Sequence, residues 1–295
     1  MRKISSVFGF LLAGFLFWYL IIKPYDYLVT FNVKTSTGTI NQTIKLWNSS
    51  LENSNFIQQE NLENLSQLIK IKDSTYKYDW SISSVNDSIS KVNIYVTDID
   101  HSFINRISLP FGITDFEKRT ERTIIDFINK LKAHLNKIKV TVIGIDTTRS
   151  TYCAYIPMKG LQIEKAGGMM QNYSLLTSVL SAENIEMNGT PFVEITKWNI
   201  QNDSIAFNFC FPIIKNDSLP LDSRIHYKQY HGVKALKAIY NGNYITSDRA
   251  WYALLDHAKN NNIEVDKKPV EVFYSNPNFG GDVLIWKAEI YLPIK

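Results

Sequence analysis

The sequence predicts an α+β protein with an N-terminal apolar helix followed by two folded domains. Three observations support this fold class. Residues 4–22 carry no charge, the first half alternates like strands before one long amphipathic helix, and a strand-helix-strand-strand pattern occurs twice in the second half. A length of 295 residues suits two domains, because domains usually hold about 100–200 residues. We therefore predict boundaries at 1–26, 27–139 and 140–295.

Residues 4–22 predict a helix that spans a membrane. At a rise of about 1.5 Å per residue, this stretch suits a hydrocarbon layer of about 30 Å. Trp18 and Tyr19 near its end are typical of the interfacial aromatic belt. Arg2 and Lys3 outweigh the single lysine after the stretch, which favours a cytoplasmic N-terminus and an extracytoplasmic body. The alternative is a cleaved signal peptide, although no small-residue cleavage site follows the apolar stretch.

The first domain, residues 27–139, is predicted to be an antiparallel sheet closed by a long helix. Alternation over residues 28–33 predicts a strand, helical spacing from Ile40 to Trp47 predicts a short helix, and turn-separated runs such as YKYDWSISSV predict a meander. The apolar residues of the long helix form one stripe: Ile124, Phe127, Ile128, Leu131 and Leu135. This order resembles the SRPBCC helix-grip family, whose members often enclose a hydrophobic ligand. The same stripe also suits a helix that packs on a sheet without a cavity.

The second domain, residues 140–295, contains an internal duplication. TPFVEI around Pro191 matches KPVEVF around Pro269 at an offset of 78 residues (269 − 191). The same offset aligns further pairs: Tyr173 with Trp251, Leu176 with Leu254, and Ile185 with Ile263. Both copies end in a strand that finishes with Pro-Ile. Each copy is therefore predicted as strand, helix, strand, strand.

The second copy also carries a family resemblance. Tyr-Asn-Gly-Asn-Tyr precedes an Ala-Trp-Tyr-Ala-Leu-Leu helix, then Pro-Val-Glu-Val-Phe-Tyr and a terminal Glu-Ile-Tyr-Leu-Pro-Ile-Lys follow in order. With the duplication, this resembles the GyrI-like small-molecule-binding family. The resemblance implies an aromatic groove between two units, an acidic residue that faces the ligand, and lipophilic cations as ligands. Carried to matching positions, it implies Glu289, Glu271, Tyr240 and Tyr244 as ligand-binding residues. Tyr291 and Trp286 complete the set of predicted ligand-binding residues.

Glu289 is the first candidate for a ligand contact. A carboxylate in an apolar cleft is costly to desolvate until a cation pairs with it, and surrounding rings add cation-π attraction. Asn208 occupies the corresponding position of the first copy, which predicts one asymmetric acidic site. The alternative is a structural pair between Glu289 and Lys287, because alternate residues of a strand share a face.

Two other candidates also have structural alternatives. Glu271 matches Glu194 of the first copy, and a symmetric pair favours a structural role. Trp286 and Trp251 suit core positions as well as ligand platforms, because large aromatic side chains are usually buried.

Composition and motifs narrow the function further. The formal net charge is +4 with acids and bases interspersed, so no nucleic-acid partner is predicted. Cys153 and Cys210 match neither a disulfide framework nor a metal-ligand spacing, and we predict no metal and no cofactor. Gly167-Gly168 lacks the context of a nucleotide site and is interpreted as a turn before a helix.

Three functions are consistent with these patterns. The leading hypothesis is a membrane-anchored, non-enzymatic protein that senses or sequesters a hydrophobic or cationic small molecule. A hydrolase of electrophilic small molecules that uses a groove carboxylate, Glu289 or Glu271, is the enzymatic alternative. A structural envelope protein without a ligand is the third.

Overall fold

The chain forms two compact units. The first comprises residues up to 33, 40–83 and 90–132, and the second comprises residues 34–39, 84–89 and 133–295. The structure, a computed structural model, describes residues 2–52, 54–216, 218–277 and 280–295. The domain boundaries predicted after residues 26 and 139 stay predictions.

The N-terminal stretch is helical but does not support the predicted spanning helix over residues 4–22. Helix α1 covers Arg2–Phe17, and a π-helical turn at Trp18–Ile22 follows it. Large apolar side chains of α1, among them Phe8 and Phe10, are exposed. None of the helices in the described parts of the chain combines the length and the apolar character needed to cross a bilayer.

The first unit has the predicted order of strand, short helix, antiparallel strands and long helix. Its elements are β1 Tyr27–Val33, α2 Thr37–Ser49, β2 Ser54–Gln59, β3 Asn64–Ile71, β4 Ser74–Asn86, β5 Ile89–Asp98, α3 Ser102–Ser108 and α4 Asp115–Leu135. The sheet has the strand order β1-β5-β4-β3-β2, with antiparallel pairing. The meander predicted from alternation is thereby confirmed, because consecutive strands from β2 to β5 are neighbours.

The long helix packs on this sheet through aromatic rings. Phe127 of α4 lies 4.8 Å from Trp80 of β4 and 5.4 Å from Trp47 of α2, measured between ring centroids. Ile124 and Leu131 of the predicted stripe are buried beside Phe127. These rings fill the interface between α4 and the sheet, as expected for a helix that packs on a sheet without a cavity. The predicted likeness to the SRPBCC family has no support beyond this order of elements.

The second unit is built on one eight-stranded sheet. Its elements are β6 Ile138–Thr147, β7 Thr151–Leu161, α5 Lys165–Ala182, β8 Phe192–Asn199, β9 Ser204–Pro212, β10 His226–Tyr230, β11 Lys234–Gly242, α6 Arg249–Asn260, β12 Val270–Phe273 and β13 Lys287–Pro293. The strand order is β10-β7-β9-β8-β12-β13-β11-β6. Every recorded pairing in this sheet is antiparallel.

The sheet confirms the predicted duplication. The first copy is β7-α5-β8-β9 and the second is β11-α6-β12-β13, so each is strand, helix, strand, strand. Within the sheet, β7-β9-β8 and β12-β13-β11 are mirror orders that meet where β8 pairs with β12. Leu176 and Leu254, aligned by the offset, are both fully buried in one core. The side-by-side arrangement implied by the GyrI-like resemblance is therefore present.

The two faces of this sheet have different contents. Ala288, Ile290 and Leu292 of β13 belong to the main core together with Trp251 of α6, and we call this side the helix face. Tyr291 belongs to a separate cluster with Cys153 and other residues, and we call this side the second face. Alternate residues of a strand point to opposite sides, so Glu289 also lies on the second face.

Gly167 and Gly168 lie inside α5 and not in a turn before it, which corrects the prediction from the sequence. A Cβ added to Gly168 would lie 3.2 Å from the Met158 sulfur and 3.6 Å from the Phe207 ring. The missing side chain therefore lets α5 approach β7 and β9 closely. This contact explains why glycine, which has a low intrinsic helix propensity, occupies this position in the first turn of α5.

Candidate functional site

An apolar groove of about 590 Å³ lies where the two copies meet. The first copy contributes the start of α5 and the loop at Gly189, and the second contributes residues from Asn243 to Ile245, Phe273 to Pro277, and Trp286. Among the residues that the structure describes, the lining contains no Asp, Glu, Lys, Arg or His. The side chains that give the groove its character are aromatic rings and thioethers: Met169, Met170, Tyr173, Phe209, Tyr244, Phe273, Tyr274 and Trp286.

One wall of the groove is a cluster of three rings. The Tyr244 ring lies 4.7 Å from Phe273 and 6.0 Å from Trp286 between centroids. The Tyr244 hydroxyl donates to the Lys287 carbonyl at 2.8 Å and accepts from the Ser275 N–H at 3.0 Å. Burial raises the pKa of Tyr244, which keeps this hydroxyl protonated. Because its hydroxyl is hydrogen-bonded on both sides, the Tyr244 ring needs little further ordering when a ligand arrives.

The side chain of Trp286 is also fixed by a hydrogen bond. Its Nε1–H donates to the Gly280 carbonyl at 3.1 Å, and its side chain is about nine-tenths buried in the main core. It therefore serves as a core residue and as part of the groove wall at once. Of the six predicted ligand-binding residues, Tyr244 and Trp286 line this groove.

Tyr240 lies in the core and not on the groove surface. Its side chain is fully buried on β11, and its hydroxyl is 2.8 Å from both the Asn243 carbonyl and the Thr246 Oγ1. Burial raises the pKa of Tyr240, so the hydroxyl remains a donor. It fixes the turn that carries Tyr244 and acts on the groove only through that turn.

Glu271 is fully buried on the helix face and is saturated with hydrogen bonds. It accepts from the ammonium of Lys165, from Trp251 Nε1–H at 2.7 Å and from the Ser247 hydroxyl at 3.0 Å. The Lys165 ammonium also donates to Ser247 Oγ at 2.7 Å. Complete burial raises the pKa of Glu271, and Lys165 opposes this effect. The pair carries no net charge, wherever the shared proton sits.

Glu271 and Glu194 are not equivalent, although the sequence aligns them. In the first copy Glu194 pairs with Asn208, whereas in the second copy Glu289 pairs with Val272 and Glu271 pairs with Ile290. Because Asn208 corresponds to Glu289, the counterpart of Glu194 is Val272. Glu271 therefore lies on the opposite face of the sheet from Glu194, and the symmetric pair considered from the sequence does not exist.

Glu289 lies on the second face within a cluster of donors. Lys287 Nζ is 2.9 Å and Lys237 Nζ is 3.2 Å from its carboxylate. The hydroxyls of Tyr274 and Tyr291 donate to it at 3.0 and 2.9 Å. Burial raises the pKa of Glu289, but these hydrogen bonds outweigh burial and hold it at about 2. The structural pair with Lys287 is thus present, and the ligand contact stays a prediction.

Tyr291 borders a second hollow of about 180 Å³ on the second face. This hollow and the apolar groove share Gly189, Thr190 and Tyr274 in their linings. The six predicted residues are therefore divided: two line the groove, two are held inside the core, and two lie on the second face. Neither glutamate lines the groove, so a hydrolase that uses a carboxylate in this groove has no support from the described residues.

Sequence reasoning missed the contribution of α5. Met169, Met170 and Tyr173 line the groove, and Lys165 supplies the partner of Glu271. One signal was present: Lys165 is the only charged residue of α5, in a helix that otherwise lacks charge. A lone lysine at the start of such a helix indicates a specific partner more than a solvated face.

Comparisons with known proteins show likeness in solved structures. No protein-family model matches the chain, and no curated protein matches it significantly. The crystal structure of the EcmrR C-terminal domain is 15% identical, covers 54% of this chain and 98% of that chain, and has a TM-score of 0.42. An EcmrR–DNA complex is 15% identical, with coverages of 65% and 70% and a TM-score of 0.44.

A third solved structure is SAV2435 bound to tetraphenylphosphonium. It is 10% identical, covers 52% of this chain and 94% of that chain, and has a TM-score of 0.38. At these identities the likeness concerns the fold alone. With TM-scores below 0.5, the matches carry no conclusion about ligand, reaction or partner.

Proposed function

We propose that the protein binds a lipophilic small molecule in the apolar groove and acts by sensing or sequestering it. The observation that carries this proposal is the uncharged lining of fixed aromatic rings and thioethers in a groove of about 590 Å³. Small-molecule sites usually enclose about 300–1,000 Å³ and are lined mainly by apolar and aromatic side chains. The polar side chains of the lining, among them Thr190, Asn243 and Ser275, supply the few polar contacts that such sites use for orientation.

The test is a titration of the full chain with N-phenyl-1-naphthylamine, a neutral dye whose fluorescence rises in apolar sites. Met170 lines the groove and is 58% exposed, so Met170→Lys should fold normally and place a charge among the rings. Met187, which is 47% exposed and outside the lining, provides the matched control Met187→Lys. We expect binding near 10 µM or tighter, weakened about tenfold by Met170→Lys alone.

Two results would count against the proposal. One is the absence of saturable dye binding by the wild-type chain at concentrations up to about 100 µM. The other is equal dye affinity in the Met170→Lys and Met187→Lys variants, because the dye would then sit elsewhere.

We also propose that the N-terminal segment attaches the protein to a membrane, with the body on the extracytoplasmic side. The exposed apolar side chains of α1 support this, since large exposed apolar patches mark contact surfaces for lipid or protein. Cell fractionation tests it: the full chain should stay with membranes after alkaline carbonate extraction, and a variant without residues 2–24 should not. Release of the full chain by carbonate would contradict the proposal.

A further inference from the structure

The charge of the ligand can be inferred from the charges that surround the groove. No described lining residue is charged, so a cation that entered would lose water without gaining a counter-ion. Relaxation of the protein and penetration of water reduce this cost but do not remove it. A cation from outside could recover this desolvation cost only by pairing with a nearby carboxylate that has no other partner.

The carboxylate beneath the groove already has a cation. Glu271 lies two residues before the lining residue Phe273, and its partner Lys165 directly precedes the lining residue Ala166. Both side chains of the pair are completely buried, and Ser247 and Trp251 occupy further acceptor positions of Glu271. A ligand cation would therefore compete with a covalently tethered ammonium group that is already in contact.

The carboxylate on the second face is neutralised as well. Glu289 contacts Lys237 and Lys287, and Lys237 also contacts Asp146 at 2.9 Å. Two lysines and two carboxylates give this cluster no net charge. Tyr274, which connects the cluster to the groove lining, donates its hydroxyl to Glu289. No uncompensated negative charge from either group therefore reaches the groove.

The aromatic rings do not reverse this balance. A cation-π contact recovers less free energy than the desolvation of an ion costs. The Tyr274 ring, moreover, already has Lys287 Nζ 4.7 Å from its centroid. Burial of apolar surface, by contrast, stabilises the binding of any uncharged ring system in proportion to the area removed from water.

We infer that the groove selects uncharged, lipophilic, ring-containing molecules over lipophilic cations, because internal lysines neutralise both carboxylates that an external cation would need. This inference rests on the proposed function, since it names the ligand class of the same groove.

The test compares two dyes with one ring system. Nile red is neutral, and Nile blue is a benzophenoxazine of nearly the same shape that is cationic near pH 7. The full chain is titrated with each dye, and Met170→Glu and Met187→Glu serve as the groove variant and its matched control. We expect wild-type protein to bind Nile red at least about tenfold more tightly than Nile blue. Met170→Glu should tighten Nile blue at least about threefold, and Met187→Glu should not.

The outcomes separate this inference from the proposed function. Binding of Nile blue as tightly as Nile red would overturn the inference and leave the proposed function standing. An unchanged affinity for Nile blue in Met170→Glu would also overturn it, because a missing carboxylate would not be the reason for discrimination. Saturable binding of neither dye would overturn both.

Discussion

Replacement of Lys165 by methionine removes the cation from the buried network of the second unit. Methionine keeps most of the apolar stem, so the main loss is the ammonium that bonds Glu271 and Ser247. The same ammonium lies 4.7 Å from the Trp251 ring centroid, and that contact is lost too. Removing one partner of a buried ion pair costs about 3–5 kcal/mol, because the other charge stays buried without compensation. We expect a loss of this size in the free energy of unfolding at neutral pH.

The pH dependence of this loss identifies its cause. Burial already raises the pKa of Glu271 above 4.5, and without Lys165 nothing comparable opposes that effect. A carboxyl group with a raised folded-state pKa is protonated more readily in the folded protein than in the unfolded chain. The variant should therefore be least unstable at low pH and lose stability as pH rises from about 4.5 through the raised pKa.

Urea unfolding of the full chain, followed by far-UV circular dichroism at about pH 5 and pH 7.5, measures both effects. The compensating control is Lys165→Met/Glu271→Gln, because glutamine keeps an oxygen for the Trp251 Nε1–H and carries no charge. It should recover more than half of the lost stability at neutral pH. A loss below about 1 kcal/mol in Lys165→Met, or no recovery in the double variant, would refute the reasoning.

Two further substitutions probe the second face and one turn. Glu289→Gln should lower the free energy of unfolding at neutral pH by about 1–2 kcal/mol, discounted for the solvent around Lys287. The pKa of Glu289 falls from 4.5 to about 2 on folding. The difference in the free energy of unfolding between wild type and variant should therefore shrink as the pH drops through this range. A difference that stays constant in acid titrations would contradict this prediction. Gly242→Ala should cost about 2–4 kcal/mol, since φ is +149° and the new Cβ would lie 2.6 Å from the Tyr240 hydroxyl. The control is Gly144→Ala, where φ is +117° and an added Cβ would have no neighbour within 4 Å, so this variant should lose less stability. Equal melting temperatures for the two variants would exclude the proposed clash.

The duplicated fold could be predicted because its signals are local and repeated. Leu176 and Leu254 mark the buried stripe of each helix, and the Pro-Ile endings mark the last strand of each copy. Such patterns depend on spacing along the chain, which the sequence contains completely. The position of the groove at the junction of the copies followed from the family resemblance.

The face occupied by Glu271 could not be predicted from the same alignment. The Pro-containing segments align Glu271 with Glu194, but hydrogen-bond register places Val272, and not Glu271, opposite Glu289. A difference of one residue in register moves a side chain to the other face of a sheet. Register depends on pairing between distant strands, so one sequence with two imperfect copies does not fix it. The contact between Lys165 and Glu271 could not be predicted either, because it joins a helix of one copy to a strand of the other.

Each of the three carboxylates near the junction of the copies contacts a lysine of the same chain, although the carboxylates lie on different faces of the sheet. Glu194 contacts Lys228 and accepts from Asn208 at 2.8 Å, Glu271 contacts Lys165, and Glu289 contacts Lys237 and Lys287. A carboxylate that had to wait for an external cation would destabilise the empty protein by several kcal/mol. Tethered lysines remove that cost before any ligand arrives. The proposed ligand would then add no charge compensation to the fold, so apolar contact and the shape of the groove must supply its binding free energy.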